Sequence, residues 1–166
     1  MQFKKLNNIS KVIHKDQGES YWQPRPANGY SEIKLSPKNI KDLPFSSGIQ
    51  VIAPDSHIRK HSHPEHCEIL FFYEGEGELE IDGKIHPIKP ESSAFLGPLT
   101  IHKISNIGEQ DLKMHWLILP NGLDDFFRKI GRPKTPNSQA SENFARPEDV
   151  ERIERETCFA LNIKKP

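Results

Sequence analysis

His61-Ser62-His63-Pro64-Glu65-His66-Cys67-Glu68 is the stretch on which the reading of this chain turns. An extended strand turns alternate side chains to one face, so His61 and His63 aim two imidazoles at one point. Glu68 stands at an odd offset from His63 and in an unbroken strand would face the other way. Pro64 removes that obstacle. It has no N–H for a strand ladder and its ring fixes the local backbone, so a bend after His63 is expected, with a new strand starting near Cys67 and Glu68 among its first residues. A fourth ligand is expected from a distant segment brought near by the fold, and His102, in an apolar stretch that reads as another strand, suits that part. Three imidazoles and one carboxylate suit a divalent transition metal.

The surroundings read as many short strands between turn signals: 48–53, 68–73, 78–81, 84–88, 93–96, 101–105 and 112–119, rich in Ile, Leu and Phe. An antiparallel sandwich or barrel follows, so the fold class is all-β. Asp82-Gly83 is a tight hairpin signal and Gly75-Glu76-Gly77 a flexible turn. After Glu68 the strand 68–73 is apolar on both faces, so both must be covered. Leu70 and Phe72 share the parity of Glu68 and are expected to line the cavity. Ile69, Phe71 and Tyr73 face outward, where a second sheet, a terminal helix or another subunit would cover them. Cys67, next to Glu68, is expected to face away from it as a buried small residue.

His61 to Gly75 has the form H-x-H, four residues, Glu, six residues, Gly, and resembles the first signature motif of the cupin superfamily. His102, with three residues between it and Asn106, resembles the core of the second, and Asn106-Ile107-Gly108-Glu109 is similar to the turn that follows it. The resemblance spans roughly residues 48–120. It implies a cupin jelly-roll (double-stranded β-helix) barrel in which His61, His63, Glu68 and His102 bind one ion of iron, manganese, nickel, copper or zinc. Asp55 stands where a glycine usually precedes H-x-H by six residues, and Gly97 and Pro98 are shifted from the usual proline and glycine ahead of the second motif. The segments 122–133 and 146–150 are similar to the C-terminal extension of quercetin-dioxygenase-like cupins, a subgroup that hosts many chemistries.

At 166 residues the chain suits one domain with a real core. Its expected parts are an N-terminal arm with strands packing on the barrel (1–45), the barrel core (46–120) and a C-terminal helical extension with short α-helices (121–166). In the arm, Tyr21-Trp22-Gln23-Pro24-Arg25-Pro26 combines aromatics with strand-blocking prolines, and would cover the barrel mouth or cap its outer wall. Leu123, Phe126, Phe127 and Ile130 recur at helical spacing before Gly131 and Pro133, 133–143 reads as a polar loop, and a second helix is expected near 147–157. Lys plus Arg balance Asp plus Glu at 23 each. With no basic run, no apolar stretch of membrane length and no apolar core after Met1-Gln2-Phe3-Lys4-Lys5, neither nucleic acid nor membrane is an expected partner, and a cytoplasmic location is expected. A homodimer is expected from the doubly apolar strand, though the C-terminal helices could cover the same face. Two cysteines without C-x-x-C spacing indicate no disulfide framework.

The partner read from the site is a small-molecule substrate. Four protein ligands in a six-coordinate sphere leave two positions for water, dioxygen or a bidentate substrate. The leading expectation is a metal-dependent dioxygenase in which Glu68 is also the catalytic general base. A lyase or isomerase using the metal as Lewis acid, and a non-enzymatic ligand-binding or sensor module, are the alternatives. His57 and Arg59 share the face of His61 if the strand runs unbroken, which sets Arg59 either toward an anionic or carbonyl substrate or at an exposed rim. Leu70, Phe72, Met114 and Trp116 are expected to shape an apolar substrate pocket. Asn106 shares the face of His102, and an amide at a strand end also suits turn capping. His14, His66, His86 and His115 fall outside the ligand spacing and read as surface or packing residues, with His115 the one best placed to reach the cavity.

Overall fold

A computed structural model describes residues 9–139 and 142–159. The start Met1-Gln2-Phe3-Lys4-Lys5 lies outside the described residues, and the expected arm and extension are seen from residue 9 and as far as residue 159. The elements run Glu19–Gln23 (β1), Gly29–Leu35 (β2), Ser46–Ile52 (β3), His57–His61 (β4), Cys67–Glu74 (β5), Gly77–Ile81 (β6), Lys84–Ile88 (β7), Ser93–Leu96 (β8), His102–Asn106 (β9), Leu112–Leu119 (β10), Leu123–Ile130 (α1), Arg132–Lys134 (β11) and Val150–Glu156 (α2). They form a seven-stranded sheet, β11-β1-β2-β3-β10-β5-β8, and a four-stranded sheet, β4-β9-β6-β7. All pairings are antiparallel. This is the antiparallel sandwich expected from the strand pattern, in the jelly-roll form that the resemblance implies.

Period-two alternation builds the core. In β10, Leu112, Met114, Trp116 and Ile118 are buried while His115 is exposed and shares a hydrogen bond with the Ser47 hydroxyl at 2.7 Å. His115 is thus a surface residue, as expected for the histidines outside the ligand spacing, and its parity sends it to the outer face and not to the cavity. In β5, Glu68, Leu70 and Phe72 point inward, and Ile69, Phe71 and Tyr73 are exposed. Cys67 is half-buried and not the fully buried small residue expected, because it stands at the strand's first position, where cover is incomplete.

Turn chemistry sets the strand ends. Asp82 (φ 49°) and Gly83 (φ 87°) both occupy the left-handed region, as a two-residue hairpin between β6 and β7 requires. Gly75 has φ 83°, and a Cβ there would lie 2.4 Å from the Asp111 carbonyl oxygen, so only glycine fits. Asp55, at φ 55°, adopts the conformation that a glycine would supply ahead of β4. Its short polar side chain tolerates that region better than most.

The two helices do not cover the exposed face of β5. They pack at the end of the barrel that holds His61 and His63, where Phe126, Phe127, Ile153, Cys158 and Phe159 join the buried cluster. The expected loop 133–143 begins instead as strand: Arg132–Lys134 pairs with Ser20–Trp22 of β1, extending the larger sheet. Such a short strand exists only because an edge was available to pair with.

Candidate metal centre

β4 ends at His61 and β5 begins at Cys67, so the strand breaks where Pro64 predicts it. His61 lies directly opposite His102 across the β4–β9 ladder, in the smaller sheet. Glu68 belongs to the larger sheet, between Ile118 and Leu96. His63 sits in the connection, where its carbonyl accepts the Leu99 N–H at 2.8 Å. The fold brings the four together: one ligand atom from each of His61, His63, Glu68 and His102 can be chosen so that all lie within 4.8 Å of one another. Ligands held about 2.1 Å from a common ion span about 4 Å, so the cluster has the right scale for one ion.

Hydrogen bonding decides which nitrogens face inward. His61 Nδ1 donates to the Arg59 carbonyl at 2.8 Å, His63 Nδ1 to the Cys158 carbonyl at 2.7 Å and His102 Nδ1 to the Thr100 carbonyl at 2.9 Å. A carbonyl can only accept, so each Nδ1 carries the proton and each neutral ring is left with its Nε2 lone pair. His63 Nε2 and His102 Nε2 each lie 3.3 Å from Glu68 Oε2, and all three atoms are buried without another partner. Acceptors facing acceptors in a buried site are unfavourable by about 1–3 kcal/mol per unsatisfied group. Second protons on His63 and His102 would relieve both contacts, at the cost of two buried imidazolium charges against one carboxylate. A divalent cation among them satisfies every lone pair at once, so the residues fit the group that the fold family implies.

The electrostatics agree. Burial, followed by the neighbouring His102 and His63, pushes His61 well below the usual imidazole range, which keeps it neutral and its lone pair available. Burial acts to raise the Glu68 carboxyl, and hydrogen bonds from His102 and His63, available only while those rings carry an Nε2 proton in the ion-free site, outweigh it and hold the carboxyl well below the usual carboxylate range. It is an anion at any ordinary pH.

A cavity of about 60 Å³ opens on the His61 and Glu68 side. Leu123, Phe126, Phe127, Ile130 and Phe159 form its apolar wall, and Gln23, Gln50 and Arg25 add polar groups. His57 and Arg59 border it. The Arg59 guanidinium is engaged by the Glu154 carboxylate of α2, which also takes Arg146, so Arg59 is neither free for substrate nor partnerless at the rim. Leu70, Phe72, Met114 and Trp116 are at most 1% exposed and pack in the closed core, which corrects their expected place as pocket lining. They share the inward face of Glu68, but that face continues past the cavity into the barrel interior. Asn106 caps its turn: its amide donates to the Ile52 and Gln110 carbonyls, both at 2.8 Å, and accepts the Gly108 N–H at 3.0 Å.

Sequence reasoning missed the roles of Gln50, Phe126, Glu154, Arg146, Cys158 and Phe159. The apolar spacing of α1 held a signal for Phe126, but a backbone carbonyl such as that of Cys158 leaves no signature in residue type. Of the arm motif, Gln23 to Pro26 reach the cavity, while Trp22 packs edge-on against Tyr30 with ring centroids 5.9 Å apart.

Residues 48–118 match the family model described as Cupin domain. That match covers less than half of the chain; with the double-stranded β-helix it makes this stretch similar to a cupin domain, and its His–His–Glu–His cluster is compatible with a divalent metal ion. The polyketide synthase CurC of Streptomyces cyaneus is 23% identical over 96 residues, 58% of this chain and 62% of that protein. An uncharacterized protein of Methanocaldococcus jannaschii is 30% identical over 80 residues, 48% of this chain and 64% of that protein. The chain thus spans less than two thirds of either relative's length. The structure of a predicted oxalate decarboxylase from Thermotoga maritima superposes with TM-score 0.58 at 23% identity, covering 66% of this chain and 99% of that one, a likeness of fold.

Proposed function

We propose that this protein is a mononuclear metal-dependent dioxygenase acting on a small organic substrate. The observation that supports it is the set of three backbone-anchored imidazoles whose Nε2 atoms converge with Glu68 beside a cavity walled by phenylalanines. The similarity of 122–133 and 146–150 to the extension of quercetin-dioxygenase-like cupins points the same way. A divalent ion held by His61, His63, Glu68 and His102 supplies Lewis acidity and, if redox-active, electron exchange with dioxygen.

The chain's own residues do the rest. The neutral imidazoles leave the loaded site with a net positive charge, which favours a substrate bound as its enolate or alkoxide. Phe126, Phe127 and Phe159 exclude water and hold the substrate's apolar part. Glu68 borders the cavity and is placed to take a substrate proton, provided that its carboxylate first moves away from His63 and His102, whose contact makes it a weak base. A homodimer formed through the exposed face of β5 and β8 is part of the same proposal.

The test is the metal content of protein purified without chelator or nickel resin, followed by an oxygen electrode with a panel of hydroxylated and enolisable carbonyl compounds. Near one iron, manganese, nickel or copper per chain with substrate-dependent oxygen uptake is the expected result. Turnover with zinc and no oxygen uptake would replace it with the lyase or isomerase reading. Failure to bind or take up any metal would leave a ligand-binding module.

A further inference from the structure

The cluster of ligands is not finished by the barrel. His63 is oriented by the carbonyl of Cys158, which arrives from 95 residues away on the segment following α2. Phe159 packs its ring 5.0 Å from those of both His61 and His63 and 4.2 Å from that of Phe126, and it forms part of the cavity wall. One helix turn earlier, the 1%-exposed Glu154 engages Arg59, two residues before His61, together with Arg146. Three independent contacts thus bind one segment to the ligand-bearing strand and loop.

We propose that Val150–Phe159 is a working part of the metal centre, with Cys158 as the positioning residue of His63 and Phe159 as the inner wall against the imidazoles. The inference rests on the metal reading above. The Cys158 carbonyl holds the proton on Nδ1 and so keeps Nε2 a lone-pair donor, a task that Arg59 and Thr100 carry out for the other two rings from within or beside the ligands' own strands. His63 alone has this support from outside the barrel. Undocking of the segment leaves its ring free to turn and opens the wall beside His61. Ion binding and segment docking must then favour each other to the same degree, because linkage is reciprocal. Phe159 also belongs to the wall of the small cavity beside His61 and Glu68.

The test uses the full chain and Zn(II) alone. Hydrogen exchange followed by mass spectrometry, with and without Zn(II), reads the docking of 150–159, and competition against a chromophoric chelator reads affinity in the wild type, Phe159→Ala and Glu154→Gln. Slower exchange over 150–159 on Zn(II) binding is expected, with affinity about tenfold weaker in the variants, the lower end of what loss of an outer-shell support brings about. The wild-type exchange arm does not depend on either variant folding. Zn(II) bound near one per chain with unchanged exchange in 150–159 and unchanged variant affinity overturns this inference and leaves the metal reading intact. Absence of Zn(II) binding to the wild type overturns both.

Discussion

At the scale of single residues, the site depends on where each imidazole puts its proton. A backbone carbonyl on every Nδ1 leaves three Nε2 lone pairs, and two of them press on Glu68 Oε2 at 3.3 Å. His102→Ala removes one ligand from a position that is 1% exposed. Metal per chain should fall from near one to near zero, while the far-ultraviolet circular dichroism stays that of a β-barrel and stability falls by about 1–3 kcal/mol. Unchanged metal content in that variant would mean that His102 is not a ligand. The residue pattern made the donor set legible, since the H-x-H, Glu68 and His102 all carry their chemistry in their side chains. It could not show the Cys158 carbonyl, which any residue type would present.

At the scale of elements, α1 and β1 are joined by Arg128. Its guanidinium reaches Glu19 at 3.0 Å, Asp124 at 2.7 Å and Asp125 at 2.9 Å. Burial acts to raise the Glu19 carboxyl, but the hydrogen bonds from Arg128 and Lys38 prevail and lower it to about 2. A carboxyl depressed in the folded state stabilises the fold above its unfolded value, and that contribution is lost as the pH falls from about 4.5 towards 2. Since Glu19 is partly solvated, its worth is about 1–2 kcal/mol after allowance for screening. Glu19→Gln should therefore lower the urea-unfolding free energy by that amount at pH 7, and the gap from wild type should close as the pH is lowered through this window. A gap that is the same at pH 7 and pH 2.5 would show that the carboxylate charge is not what joins the elements. The helix α1 was legible because Leu123, Phe126, Phe127 and Ile130 repeat at three and four. β11 was not, because Arg132-Pro133-Lys134 has no strand pattern of its own and becomes one only against β1.

At the scale of the whole molecule, one apolar surface is left uncovered among the described residues. Ile69, Phe71 and Phe95 are 46%, 44% and 67% exposed, and Ile69 and Phe95 are direct cross-strand neighbours on β5 and β8. β8 is also an open edge of the larger sheet. Such a surface suits the proposed dimer, and an isologous contact that buries about 800 Å² on each side would cover it. Sedimentation velocity should give twice the chain mass for the wild type and the chain mass for Phe71→Lys combined with Phe95→Lys. A wild-type monomer at micromolar concentration would rule the dimer out.

The amino-acid sequence by itself determined the all-β class, the alternation that sorts core from surface, the hairpin at Asp82-Gly83 and the four donor side chains of the cluster, because these depend on local periodicity and residue chemistry. Only the tertiary structure decided which inward-facing residues meet the cavity and which are sealed in the core, since Leu70 and Glu68 have the same parity and differ only in what packs above them. It also decided that Arg59 meets Glu154, that β11 becomes a strand and that the C-terminal segment supports His63. Each of these is a contact between residues far apart in the chain, and no local pattern encodes the partner that arrives when the fold closes.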